Sequence, residues 1–244
     1  MNTFLGAVLC PHPPLLLREL SGQQDPIPDL RAACHQALDT LLSWRPDHLH
    51  VVGRGDPAEE DPPWSLRVAR RLLAEAGRRG DFDWHPVAGT ATAADCDRLA
   101  DDLAHPRKRT ALLVLADGSA SRTPKAPGYL DERAVPFDVA ITHALETNDP
   151  TALTHLDPTL SDALRAQGRP ALHTLGAVMQ RFPNRATPHL HYIDDPFGVL
   201  YLVATWPCTT DTPGSATPGR AEVRSSLALN HPAPAEDVDD HPDP

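Results

Sequence analysis

The chain reads as a three-layer α/β domain, with a mostly parallel central sheet, flanking helices and a late hairpin. Three observations predict it. Short apolar runs alternate with amphipathic helical patterns through the first two thirds, the βαβα order that builds a parallel sheet. The run Thr110–Ala116 (TALLVLA) is apolar from its second residue on and reads as a central strand. Two late runs, His189–Ile193 and Val199–Thr205, are separated by Asp194-Asp195-Pro196-Phe197-Gly198, a turn short enough for a hairpin.

The elements follow in order. Thr3–Cys10 is short, apolar and closed by proline, the signature of a buried strand. Asp29–Trp44 places Leu30, Ala33, Ala37, Leu38, Leu41 and Leu42 on one helical face. His48–Val52 is a second strand, closed by Gly53-Arg54-Gly55-Asp56-Pro57. Ser65–Ala76 is amphipathic, with Arg67, Arg70 and Arg71 expected on a solvated outer face. Trp84–Ala88 is a weaker strand pattern. Ala93–Leu103 is a helix capped by Thr92. Pro136–Glu146 and Arg169–Phe182 are helical, and Asp149-Pro150 and Asp157-Pro158 pair a capping Asp with a first-turn Pro.

Bulk properties narrow the function. A chain of 244 residues that is 41% hydrophobic can bury a sizeable core. A net charge of −11 argues against wrapping nucleic acid or an anionic membrane, and 5% aromatics against a base-stacking surface. Cys10, Cys34, Cys96 and Cys208 lie far apart, so reduced structural thiols are expected rather than a disulfide framework. No apolar run is long enough to span a bilayer, and the apolar opening stops at Pro11 without a positive n-region. The cytoplasm is the expected compartment, and homo-oligomerisation is left open. Residues 207–244 carry seven acidic residues against two arginines, and seven prolines, which reads as a disordered acidic tail following a 1–206 domain.

Chemistry-bearing residues gather at strand ends. Cys10-Pro11-His12-Pro13-Pro14 puts an imidazole in a turn stiffened by three prolines, at the carboxyl end of the first strand. The second strand ends in Arg54 and Asp56, and the central strand runs into Asp117, Ser119, Ser121 and Arg122. In a parallel sheet these loops share one edge, where ligands bind. His12 with Asp56 or Asp117 could ligate a divalent metal. Ser119, Ser121, Arg54 and Arg122 could hold an oxyanion, and a nucleophilic Ser119 with His12 as base is a further reading. The same Asp, Ser and Gly residues also build turns. The pairs His48/His50 and His189/His191 each project to one strand face; two such imidazoles can chelate a metal, with Asp194 and Asp195 near the second pair, but without a third ligand at defined spacing a partly exposed sheet face is the favoured reading. The P-loop, GxGxxG, HExxH and GxSxG patterns are absent.

The opening Cys10-Pro11-His12-Pro13-Pro14, the central strand leading into Asp117-Gly118-Ser119-Ala120-Ser121-Arg122, and the closing run Pro196–Trp206 resemble the class III extradiol ring-cleavage dioxygenase superfamily. This is the LigB-type catalytic subunit superfamily, here similar to an actinobacterial branch, over residues 1–206. The resemblance implies a non-haem Fe(II) site of two histidines and a glutamate, plus a catalytic histidine. His12 falls at the first ligand. Gly53-Arg54-Gly55-Asp56 stands where the second histidine is expected, Arg122 follows Ser121 where the catalytic histidine is expected, and Val199–Trp206 holds no carboxylate.

Three expectations follow. The first is a dioxygenase-like protein with an incomplete iron site that binds a polar or anionic small molecule through Arg54, Ser121 and Arg122, with His12, Asp117 and Ser119 as the chemical groups. The second is a metal-dependent extradiol dioxygenase, or another metalloenzyme, with a site rebuilt on His12 and Asp56. The third is a non-catalytic interaction protein whose acidic tail meets the partner.

Overall fold

The computed structural model describes residues 3–21, 24–56, 61–105 and 108–208. The chain alternates β1 (Thr3–Cys10), α1 (Arg18–Ser21), α2 (Pro28–Ser43), β2 (His48–Arg54), α3 (Trp64–Glu75), β3 (Asp83–Val87), α4 (Ala93–Leu103) and β4 (Arg109–Leu115). It then continues through α5 (Ala134–Glu146), α6 (Pro150–Thr154), α7 (Pro158–Ala163) and α8 (Arg169–Gln180) to β5 (His189–Asp194) and β6 (Tyr201–Pro207). The six strands form one sheet in the order β3-β2-β4-β1-β6-β5. The first four are parallel, whereas β6 runs antiparallel to both β1 and β5. The expected α/β architecture is therefore present, and the late hairpin docks through β6 against the free edge of β1.

Alternation along β4 explains the two helical layers. Leu112 and Val114 face a core built with α4, α5, α6 and α8, while Ala111, Leu113 and Leu115 face a second core built with α2 and α3. Both faces are covered, so the strand is apolar from Ala111 to Leu115. Each fully buried Leu or Val contributes about 1.5–3 kcal/mol relative to exposure. Cys10 and Cys34 meet in the second core, between β1 and α2.

Local chemistry sets the helix starts. Thr92 and Asp95 form a reciprocal capping box at α4, and the Asp149 and Asp157 carboxylates accept from the first-turn amides of α6 and α7. In β1 the register slips between Phe4 and Gly6. Gly6 takes φ +139°, and a Cβ there would lie 2.6 Å from the Trp206 carbonyl oxygen, so only glycine fits.

Beyond His12 the chain forms a 3₁₀ turn, Pro14–Leu16. Arg31, only 3% exposed, donates to the Leu16 and Leu15 carbonyls at 2.8 and 3.2 Å and to Asp25 at 2.7 Å. This buried guanidinium anchors the segment after His12 to α2. The boundary expected at 207 moves. Pro207 completes β6, and Cys208 bridges Arg185 and donates its backbone N–H to the Leu5 carbonyl. The remainder of the acidic, proline-rich stretch lies outside the described residues. Among the described residues, no helix is long and apolar enough to cross a membrane.

Candidate functional site

The carboxyl ends of β1, β2, β3 and β4 open on one cavity of about 1160 Å³. His12, Arg54, Asp56 and Asp117 all line it, so the expected convergence holds for these four. β6 enters the same edge by its start, placing Tyr201 in the wall.

At the floor, the His12 backbone N–H donates to Asp117 Oδ1 at 2.9 Å, and His12 Nδ1 lies 3.5 Å from Asp117 Oδ2. His12 is 9% exposed rather than displayed on an open turn. Its Nδ1 is buried and makes no hydrogen bond, because the approach to Asp117 is too long and poorly aimed. Burial pushes the Asp117 carboxyl above its ordinary range, while the His12 imidazole and the His12 backbone N–H pull it back. Burial, and then the neighbouring Asp117 charge, raise the Tyr201 phenol. A histidine and a carboxylate thus share a shielded floor, an arrangement suited to orienting an imidazole for proton transfer.

The loop after β4 explains which residues fail to reach the cavity. Gly118 and Ala120 line it, and the alternate residues Ser119 and Ser121 turn away. Ser119, fully buried, donates its N–H to Asp138 Oδ1 at 2.8 Å and its hydroxyl to Asp138 Oδ2 at 2.6 Å. The Ser121 hydroxyl donates to the Leu164 carbonyl at 3.2 Å. Arg122 is clasped between Asp138 at 3.3 Å and Asp195 at 2.6 Å. The expectations for Ser119 as a reacting group, and for Ser121 and Arg122 as ligand contacts, therefore find these side chains in buried structural bonds instead. Gly168 packs against this loop so closely that a Cβ would lie 2.4 Å from the Asp117 carbonyl oxygen.

The cationic wall is richer than the sequence suggested. Arg67 and Arg70 on α3, assigned above to a solvated face, line the cavity, as do Arg165 and Gln167 from the loop before α8. Among the described residues, Arg71 alone of the three α3 arginines makes ion pairs, with Glu19 and Glu75. Arg54 donates to the Gln167 side-chain oxygen at 2.6 Å, and Arg67 lies 4.4 Å from the centre of the Trp64 ring. Among the described residues, none of Arg54, Arg67, Arg70 and Arg165 lies within 4.0 Å of a carboxylate oxygen. The i, i+3 spacing of Arg67 and Arg70 on one helix was the signal available in sequence, but which face met the cavity depended on the tertiary packing.

The donor set does not fit the Fe(II) centre that the dioxygenase resemblance implies. Such a site needs three ligand atoms around one point. The cavity supplies one imidazole and its paired carboxylate, and Asp56, though it lines the same wall, does not join them in a three-ligand group. Among the described residues, the group whose ligand atoms do gather is elsewhere, at His48, His50 and Asp83.

No family model matches this chain, and no curated protein matches it. Among solved structures it is similar to an uncharacterized protein of Escherichia coli K12, at 16% identity and a TM-score of 0.47, covering 83% of this chain and 99% of that one.

Proposed function

We propose that this protein is a diverged relative of the class III extradiol dioxygenases that binds a small organic anion at the strand-end cavity without iron-dependent ring cleavage. His12 serves as the acid or base toward that ligand, oriented by Asp117. The observation that carries the reading is the concave wall bearing Arg54, Arg67, Arg70 and Arg165, none within 4.0 Å of a carboxylate oxygen among the described residues, facing a His–Asp floor. Unpaired guanidiniums in a cleft raise the local concentration of anions and grip carboxylate or phosphate by paired N–H donors. Asp56, Asp61 and Asp117 share the lining with these four arginines, so the cavity is less acidic than the chain as a whole. His12 at the first-ligand position of the resembled family and the cavity at the carboxyl ends of the parallel strands support the kinship.

The chemistry available to these residues is proton transfer. A ligand carboxylate on the arginines would set its neighbouring C–H or O–H against the imidazole. A modest closing of the 3.5 Å gap would give His12 Nδ1–H to Asp117 and leave Nε2 as the basic nitrogen.

Calorimetric titration of full-length protein with 3,4-dihydroxybenzoate, citrate and phosphate tests the proposal. Saturable, salt-sensitive binding weakened at least tenfold by Arg54→Ala is expected. Oxygen uptake with catechols after anaerobic Fe(II) reconstitution, lost in His12→Ala, would replace it with ring cleavage. No binding of any small anion would overturn it.

A further inference from the structure

A second cluster sits on the β2–β3 pair, away from the cavity, and none of its residues lines that cavity. The two strands run parallel with His50 opposite Asp83 and Val52 opposite His85. Alternation therefore delivers His48 and His50 from β2, and Asp83 and His85 from β3, to one face. His48 Nε2 lies 2.8 Å from Asp83 Oδ2, His50 Nδ1 lies 3.8 Å from the same oxygen, and His50 Nδ1 lies 3.0 Å from His85 Nε2. The rings crowd, with centroids 4.5 Å apart for His48 and His50 and 5.0 Å for His50 and His85. One ligand atom from each of His48, His50 and Asp83 falls within 4.8 Å of the others.

We propose that His48, His50 and Asp83 form a binding site for a zinc-class divalent cation, with water completing the coordination. Tetrahedral zinc with bonds of about 2.0–2.1 Å holds its donors roughly 3.3 Å apart, close to the spacings already present. The two-imidazole, one-carboxylate set favours zinc and its neighbours over calcium or magnesium, which prefer all-oxygen ligands. Partial exposure of His48 and Asp83 gives an ion and a water access to the site. Two of the ligands come from β2 and one from β3, and β3 is the last strand of the sheet. A bound ion would clip that edge strand to β2.

The test uses untagged full-length protein freed of metal by dialysis. Zinc is titrated calorimetrically, Co²⁺ is followed by the visible bands of a four-coordinate ion, and melting is measured with and without zinc. One equivalent is expected to bind at micromolar Kd or tighter and to raise the melting temperature. His50→Ala and the conservative, exposed Asp83→Asn should each weaken binding at least tenfold and abolish the thermal shift. His12→Ala should leave stoichiometry and Kd unchanged. Absence of saturable binding below millimolar zinc overturns the proposal. So does binding that survives both cluster substitutions, or that is lost in His12→Ala.

Discussion

Replacing Asp138 with alanine removes one acceptor shared by three donors: the Ser119 N–H at 2.8 Å, the Ser119 hydroxyl at 2.6 Å and the Arg122 guanidinium at 3.3 Å. The carboxylate is 1% exposed, so water cannot take its place. Hydrogen bonds to a charged group are worth about 1.5–3 kcal/mol each, and breaking a buried ion pair costs about 3–5 kcal/mol. These losses overlap rather than add. Two features soften them: Asp195 still holds Arg122 at 2.6 Å, and burial already pushes the Asp138 carboxyl upward against the Ser119 and Arg122 bonds. The net expectation is a loss of about 3–4 kcal/mol, or roughly 10 °C in melting temperature for a domain of this size. Asp138→Asn keeps an acceptor for the Ser119 N–H and should lose about half as much. Urea unfolding followed by far-UV circular dichroism at pH 7 reads both values. A loss below about 1 kcal/mol for the alanine variant would refute the reasoning, because Ser119 and Arg122 would then hold their places without Asp138 and return as groups free to meet a ligand.

Other substitutions probe other parts of the fold. Gly6→Ala should lower the urea midpoint sharply, since its Cβ meets the Trp206 carbonyl at 2.6 Å under a φ of +139°; an unchanged midpoint would mean that the bulge relaxes. Arg31→Met should cost about 3 kcal/mol by stranding Asp25 and two carbonyls, and should erase an acid-side effect. The Arg31 hydrogen bond holds the Asp25 carboxyl below its ordinary value of 3.8, so its contribution is present above that pH and fades as pH falls through the lower folded value. Burial, and then His189, lower His191 from 6.5 to about 4, so the native state resists its protonation. Stability should therefore be full above about pH 6.5 and decline toward pH 4, and His191→Gln should flatten that decline; an unaltered slope of midpoint against pH would contradict it. Asp117→Asn should raise the melting temperature at pH 7. Burial lifts the folded pKa of Asp117, so its favourable contribution is lost as pH rises through that value, and the amide still accepts from the His12 N–H. A lower melting temperature would show the charged pair to be stabilising.

Much of the fold was legible because periodicity and punctuation agreed. Thr3–Cys10 and Ala93–Leu103 match their elements end to end, since Pro11 stops the strand and Thr92 caps the helix. The Asp-Pro starts of α6 and α7 were equally clear. The segment Pro14–Ser21 was missed: its 3₁₀ turn is anchored by Arg31, which lies fifteen or more residues downstream. The meeting of His12, Arg54, Asp56 and Asp117 followed from strand polarity alone. Placing Ser119 and Ser121 in the site failed for a reason of parity, because Gly118 and Ala120 hold the cavity-facing positions. Asp138 was invisible as their partner, being one polar residue in an apolar helix pattern. The His48/His50 pair gained weight only when β3 set Asp83 and His85 beside it, a register that no local pattern encodes.

The placement of the four thiols has a practical consequence. Cys10 ends β1, Cys34 lies in α2, Cys96 in α4, and Cys208 follows β6, all in the reduced form. The neighbouring Cys10 thiol, and then burial, lift the Cys34 thiol, and burial lifts that of Cys96 and that of Cys208 to about 12, so the reactive thiolate is scarce while these segments stay docked. Alkylation by iodoacetamide should then proceed only through transient opening, one rate for each neighbourhood. Mass spectrometry of the modified peptides would rank which layer detaches first, with no engineered label required.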